Sequence, residues 1–295
     1  INILNLTFER LSMIKFYNLN GELVPKEKAT LHVSDLAIQR GYGIFDFFYV
    51  QKGQPTFLED YLDRFENSAR LMELELPVSR PVLKERIFEL IEVNGMPDSA
   101  IKMILTGGYA PDGYIPPERQ NLLLMSFPQR LYGSSTYSEG IKLMTYRHVR
   151  EMAEVKTLNY TTGIRLLKAL QKAQADEVLY HNGTQVSESA RSNFFIVTPD
   201  DTIVTPNHDI LWGITRKHLL QNAKAHYQVE ERPLLLEEIF TAKEAFLSST
   251  TKGALPVVQI DDHTVGDGTP GKVTKHLYDL YWRSVDDYIH AALAK

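Results

Sequence analysis

The sequence predicts an α+β fold in two domains, and three observations carry that expectation. Strand-like and helix-like runs are mixed in both halves without the strict alternation of a doubly wound sheet. The 295 residues, 43% of them hydrophobic, can fill more than one core of ordinary size. A polar Gly/Ser segment, QRLYGSSTYSEG at residues 129–140, separates the two mixed halves. We therefore expect an N-terminal domain over residues 13–130, a linker over 131–139 and a C-terminal domain over 140–295. The twelve residues ahead of Met13 are read as a leader or a cloning remnant outside the fold.

Each element has a local signal. Residues 16–24 predict a hairpin, because Asn20-Gly21 accepts the positive φ angles of a two-residue turn. An alternating run, residues 44–50, predicts a strand. Leu58, Leu62, Phe65, Ala69 and Met72 fall at helical spacing and leave Arg64 beside the buried stripe. A second helix starts at Ser79 with Pro81 in its first turn, buries Leu83, Ile87, Leu90 and Ile91, and stops at Gly95. Strands over 101–105 and 122–127 flank GGYAPDGYIPP, whose length and composition suit a binding loop. Beyond the linker come a strand at 141–146, Lys156, a helix with Ile164, Leu167 and Leu170 inward, and a hairpin at Asn182-Gly183 that delivers Glu188. Two strands, at 194–197 and 202–205, turn at Pro199-Asp200-Asp201. A helix then opens at Gly213, strands follow near 227–232, 245–249 and 257–260, and an amphipathic helix carrying Val273, Leu277, Leu280, Tyr281, Val285 and Ile289 closes the chain.

Composition excludes several classes of function. The net charge is only -5, with no basic stripe for nucleic acid. Cys is absent, which removes disulfides and thiolate chemistry, and the nine histidines show no metal-ligand spacing. No apolar run has the length of a membrane span and no signal-peptide pattern is present, so we expect a cytoplasmic protein. Gly266 to Lys272 has the spacing of a nucleotide phosphate loop, but Val273 follows where a hydroxyl is needed, and we read it as a turn. Gly107-Gly108 lacks the remainder of a dinucleotide fingerprint, and no nucleophile elbow occurs.

The chemistry concentrates in residues 188–216, ESARSNFFIVTPDDTIVTPNHDILWGITR. One end offers a fixed carboxylate, Glu188. The other offers the free amides of a helix start at Gly213, which suit a phosphate. A cofactor with a cationic ring and a phosphate tail needs both.

Glu-x-Ala-x-x-Asn-Phe-Phe from Glu188, then Ile203-x-Thr205, then Leu211-x-Gly213-Ile214-x-Arg216, resembles the signature of the class IV, fold-type IV pyridoxal-phosphate-dependent aminotransferases. The likeness extends over nearly all the chain from about Met13, including Leu62-Asp63-Arg64-Phe65 and Lys156-Thr157-Leu158-Asn159. It implies a small N-terminal α/β domain, a larger C-terminal domain with a barrel-like sheet, a homodimer, and pyridoxal 5'-phosphate as cofactor. Carried over residue by residue, it makes Lys156 the Schiff-base lysine and the acid/base group at the substrate α-carbon. Glu188 would keep the pyridine nitrogen protonated. Arg64, the backbone of Gly213, Ile214 and Thr215, and Thr250 and Thr251 would take the phosphate, and Tyr160 would approach the ring oxygen.

D-amino acid aminotransferases, branched-chain L-amino acid aminotransferases and aminodeoxychorismate lyases share this signature. The lysine segment Lys156 to Asn159 is similar to that of the D-amino acid enzymes, as are LDRFENSA and Arg40-Gly41-Tyr42 with Tyr49 downstream. We therefore expect a transaminase that passes the amino group of a D-amino acid to 2-oxoglutarate or pyruvate. There are departures. The Arg-x-His pair that holds the substrate carboxylate in well-known D-amino acid enzymes is replaced by Gly107-Gly108-Tyr109-Ala110-Pro111, and Phe45, Phe47 and Phe48 stand where small residues are frequent. Arg191 lies three positions after the glutamate, where an arginine is costly unless it binds an anion. We expect Arg191 and Arg40 to replace the missing pair, with Tyr42 and Tyr49 on the substrate side. The alternative is that Arg191 only neutralises a nearby Asp or Glu and that Arg40 is a helix-end cation.

Overall fold

The computed structural model describes residues 14–129 and 132–294. Met13, the residues before it, and the first position of the expected linker lie outside that description. The contacts divide the chain into two compact units. Unit one comprises Ile1–Arg130, Val155–Asn159 and Asp287–Lys295; unit two comprises Leu131–Glu154 and Tyr160–Asp286. The grouping differs from a single cut in the chain, because the segment bearing Lys156 and the last helical turns both belong to unit one.

Unit one is a six-stranded antiparallel sheet with helices on it. Its elements are β1 (Phe16–Leu19), β2 (Glu22–Pro25), α1 (Leu36–Arg40), β3 (Gly43–Gln51), β4 (Gln54–Pro55), α2 (Leu58–Leu71), α3 (Arg80–Asn94), β5 (Ser99–Thr106) and β6 (Asn121–Pro128). The strand order is β2-β1-β6-β5-β3-β4. The first hairpin turns through Asn20 (φ 55) and Gly21 (φ 100), as Asn-Gly predicts. In β3 the pleat divides the side chains: Ile44, Asp46, Phe48 and Val50 are buried on one face, and half-buried Phe45 and Phe47 stand on the other. α2 packs against β3 through buried Leu58, Leu62, Phe65 and Ala69. Burying Leu62 and Phe65 contributes about 1.5–3 kcal/mol each. α3 starts with Pro81 in its first turn and ends at Gly95 in the left-handed region, although the Ser79 side chain makes no capping bond.

Unit two begins with a short helix, α4 (Ser134–Glu139), inside the stretch expected as linker. Its half-buried Tyr137 donates its hydroxyl to the Lys252 carbonyl at 2.7 Å. The remaining elements are β7 (Ile141–Arg147), α5 (Thr161–Arg165), α6 (Leu167–Ala173), β8 (Glu177–His181), β9 (Gln185–Ser189), β10 (Asn193–Val197), β11 (Ile203–Thr205), α7 (Ile214–Ala223), β12 (Val229–Glu231), β13 (Leu234–Leu235), β14 (Glu244–Ser249), β15 (Gly253–Ile260), β16 (His263–Thr264) and α8 (Lys272–Leu293), whose turns from Asp287 onward belong to unit one. The path β10-β14-β15-β7-β8-β9 returns to β10, so six strands close into a barrel. Closure rests on one antiparallel pair, Asn193 opposite Glu188. Leu143, Leu179, Val186, Phe194, Ile196, Leu247 and Leu255 are among the residues of its core.

Two sequence expectations need correction here. The helix after Lys156 is two short helices, and Ile164 and Leu167 are 66% and 60% exposed; Leu170 is buried as expected, and Leu166 is buried beside it. The inward position belongs to Gly163, whose added Cβ would lie 3.1 Å from Ala190 Cβ. Leu280 is also only half-buried, while Val273, Leu277, Tyr281, Val285 and Ile289 are buried as expected. The turn before α8 explains its phosphate-loop spacing. The amides of Val273 and Thr274 donate to the Glu244 carboxylate at 3.0 and 2.8 Å, so the helix start already holds an anion of its own chain.

Candidate active site

In unit two, the sequence signature is a set of mutually bonded residues. Glu188, 4% exposed at the barrel closure, accepts from Arg150 Nε at 2.8 Å, from the Leu211 amide at 3.0 Å and from Asn193 Nδ2 at 3.5 Å. Asn193 Nδ2 also donates to the Leu211 carbonyl at 2.7 Å. That ties β10 to the loop ahead of Gly213. Gly213 is required there, since a Cβ would come 2.1 Å from Asn193 Oδ1. It caps α7 with extended backbone and no side-chain cap, and no acidic residue stands in the first turn. Ile214 and Thr215 are buried, with Thr215 Oγ1 3.4 Å from the Tyr281 hydroxyl, whose pKa burial pushes up to about 12. Thr251 Oγ1 lies 3.3 Å from Ser249 Oγ in the turn between β14 and β15, next to Thr250. Tyr160 precedes α5 and lies within electrostatic reach of Tyr180, which burial pushes up to about 12 and which also feels Arg150 and Glu188.

Unit one carries Lys156. Its segment lies along β3: the Phe45 amide donates to the Lys156 carbonyl at 2.9 Å, and the Leu158 amide to the Gly43 carbonyl at 3.0 Å. A Cβ on Gly43 would meet Leu158 Cδ1 and the Leu105 carbonyl, both at 2.8 Å, so glycine admits this close approach. The Lys156 amide donates to Ser68 Oγ of α2 at 3.4 Å, and its ammonium lies 4.6 Å from the centre of the Phe45 ring. Lys102, which the sequence reading missed, lies 4.7 Å from the same ring. It faces Phe47 across β3 and β5. Burial lowers its pKa, and among the described residues no carboxylate pairs with it.

Arg64, on α2, places Nε and Nη2 on Asp46 Oδ2 and Oδ1 at 2.9 and 2.6 Å. Two of its three nitrogens are thus held by a carboxylate with no exposed surface. Arg40 ends α1, is exposed, and donates to the Gln39 carbonyl at 3.2 Å. Tyr42 packs against Gly107 and donates its hydroxyl to the Met72 carbonyl. Tyr49 is 3% exposed and edge-on to Phe47.

Arg191 does meet a carboxylate. Its Nη2 lies 3.1 Å from Glu177 Oε1, while the side chain stays 64% exposed. Burial would raise the Glu177 carboxyl, but Lys252 and Arg191 beside it, with a Ser189 hydrogen bond, hold it below the ordinary 4.5. Its folded value is the lower one, so these contacts stabilise the fold fully above about pH 4.5 and are lost as pH falls through the depressed value. The thermal midpoints of wild type and Glu177→Gln should therefore converge on acidification. A gap that stayed constant down to about pH 3 would contradict this.

A buried carboxylate for a cationic ring and an uncapped helix start for an anion fit a pyridine phosphate. The amino-transferase class IV family model matches residues 43–260, and the chain belongs to that family. It is 26% identical over 275 residues to the D-alanine aminotransferase of Bacillus licheniformis, covering 90% of this chain and 95% of that protein. It is 28% identical over 280 residues to the putative branched-chain-amino-acid aminotransferase of Methanocaldococcus jannaschii, covering 91% and 95%. Its structure is similar to that of a branched-chain amino acid aminotransferase from T.th. with pyridoxamine 5'-phosphate, with a TM-score of 0.85 and 26% identity over 92% of this chain and 94% of the other. The fold is the fold-type IV α+β architecture, and the protein is a pyridoxal-phosphate-dependent class IV aminotransferase.

Proposed function

We propose that this enzyme passes the amino group of a D-amino acid to 2-oxoglutarate or pyruvate in two half-reactions, as a cytoplasmic homodimer. The observation that carries the reading is the setting of Lys156, an amine fixed along β3 over Phe45 and accompanied by Lys102. Bound pyridoxal phosphate supplies the electron sink that stabilises negative charge at the substrate α-carbon. Lys156 anchors the cofactor and moves the proton at that carbon. Glu188, oriented by Arg150 and the Leu211 amide, keeps the ring nitrogen protonated. The Gly213, Ile214 and Thr215 backbone, Thr250, Thr251 and Arg64 take the phosphate, and Tyr160 the ring oxygen. Arg191 and Arg40 take the substrate α-carboxylate, and Tyr42 and Tyr49 complete the substrate side. Lys102 supplies a cation for the second carboxylate of 2-oxoglutarate.

Relatives named D-alanine aminotransferase and the lysine segment favour the D configuration. The half-buried aromatic pair Phe45 and Phe47 favours the second reading, branched-chain L-amino acids. Among the described residues no helix is long and apolar enough to cross a membrane.

Half-reactions followed by cofactor absorption decide the configuration. D-alanine or D-glutamate should convert the enzyme to its pyridoxamine phosphate form, and conversion by L-leucine alone would favour the second reading. Arg191→Ala should raise KM about tenfold or more for amino acid and 2-oxo acid alike, and an unchanged KM would remove Arg191 from the substrate site. Lys102→Met should raise KM for 2-oxoglutarate by a similar factor and spare pyruvate.

A further inference from the structure

Outside the residues already given roles, the barrel of unit two contains a buried charge cluster. Glu177, at the start of β8, is 6% exposed, and Lys252, after the Thr250-Thr251 turn, is 2% exposed. Lys252 Nζ lies 2.8 Å from Glu177 Oε1, the oxygen that Arg191 Nη2 also approaches, at 3.1 Å. Ser189 Oγ donates to Glu177 Oε2 at 2.6 Å, which fixes the plane of the carboxylate. Lys252 Nζ donates in addition to Ser192 Oγ at 2.9 Å. Arg191 is thus held twice, through its own guanidinium and through the residue that follows it.

The charges in this cluster do not cancel. Two cations meet one carboxylate, so the cluster keeps a positive charge, and it emerges at the one member with exposed surface. Among the described residues only Nη2 of the Arg191 guanidinium has a partner. The other donors of a fork oriented from behind are open to a second carboxylate, the geometry in which arginine binds such groups best. A free arginine on a loop loses more side-chain entropy on binding than one already held.

We infer that Glu177 and Lys252 are positioning residues for substrate recognition: they hold Arg191 in place to take the carboxylate of amino acid and 2-oxo acid without themselves touching cofactor or substrate. This rests on the reading that Arg191 binds the substrate carboxylate. It separates two functions of the sheet, because the cluster lies on the Arg191 side of the loop between β9 and β10, whereas Glu188 answers to Arg150 and Leu211.

The test compares three holoenzyme variants in steady-state kinetics with D-alanine and 2-oxoglutarate. Glu177→Gln should raise KM for both substrates about tenfold, change kcat less than about threefold, and leave the visible absorption of the lysine-bound cofactor unaltered. Glu177→Gln alone leaves the Lys252 charge buried without its partner, which is destabilising. The double variant Glu177→Gln/Lys252→Met removes both charges and should show the same rise in KM with a thermal midpoint nearer wild type. Arg191→Ala separates the two ways of failing. If it raises KM while both Glu177 variants match wild type, the positioning role is overturned and the Arg191 reading stands. If Arg191→Ala leaves KM unchanged, the Arg191 reading itself falls, and this inference with it. A loss confined to kcat or to cofactor absorption in the Glu177 variants also overturns the inference.

Discussion

Lys156→Ala will transfer no measurable amino group in either direction, a loss of at least about a thousandfold, because on the proposed assignment one side chain is both the covalent anchor of the cofactor and the proton carrier at the α-carbon. Its backbone bonds to Phe45 and Ser68 use main-chain atoms that the substitution keeps, so the fold should survive. The measurement is single-turnover amino transfer with D-alanine together with the absorption of the purified protein. A variant that still showed the pH-dependent spectrum of lysine-bound cofactor, or that kept more than about one per cent of wild-type turnover, would remove Lys156 from this role.

The second large effect is on stability. Asp46 has no exposed surface and holds Arg64 through two hydrogen bonds of 2.9 and 2.6 Å, with the Phe47 amide donating to the same carboxylate at 2.8 Å. Asp46→Ala removes this buried carboxylate from the guanidinium of Arg64, whose side chain is only 10% exposed. Removing one partner of such a pair costs about 3–5 kcal/mol. Arg64 would also lose its orientation, so if it takes the phosphate as proposed, cofactor affinity should fall together with the urea midpoint. A loss below about 1 kcal/mol would mean that water or another side chain replaces Asp46 readily.

Much of this was legible in the sequence because periodicity and turn chemistry are local. The Asn20-Gly21 hairpin, the buried stripe of α2 and the Pro81 start of α3 each declare themselves within a few residues. The signature residues were legible as types, and the structure supplies their reasons: Asn193 joins β10 to Leu211, and Gly213 is small because Asn193 Oδ1 is beside it. Partnerships across the chain were not legible. Nothing near Arg150 announces Glu188, nothing near Asp46 announces Arg64, and Lys252 is separated from Glu177 by 75 positions of chain that only the barrel brings together. The helix after Lys156 misled for a different reason. Apolar spacing selected Ile164, Leu167 and Leu170, but the segment breaks into two short helices, so Leu170 is buried while Ile164 and Leu167 face outward.

The barrel of unit two has a seam. Its other five strand pairings run over two to five partnered positions, and the sixth is the single pair Glu188 and Asn193. The residue assigned to the cofactor ring is therefore also the clasp of the sheet. Local opening at that seam should be the lowest-energy excursion of the barrel. A ligand that engages the Glu188 carboxylate more tightly in the closed form than in the open one shifts that opening equilibrium by mass action. Amides of residues 188–193 should accordingly exchange with solvent more slowly in holoenzyme than in apoenzyme, while those of β14 and β15, paired along their lengths, should change little. Cofactor loading would then be as much a step in finishing the fold as in arming the catalyst.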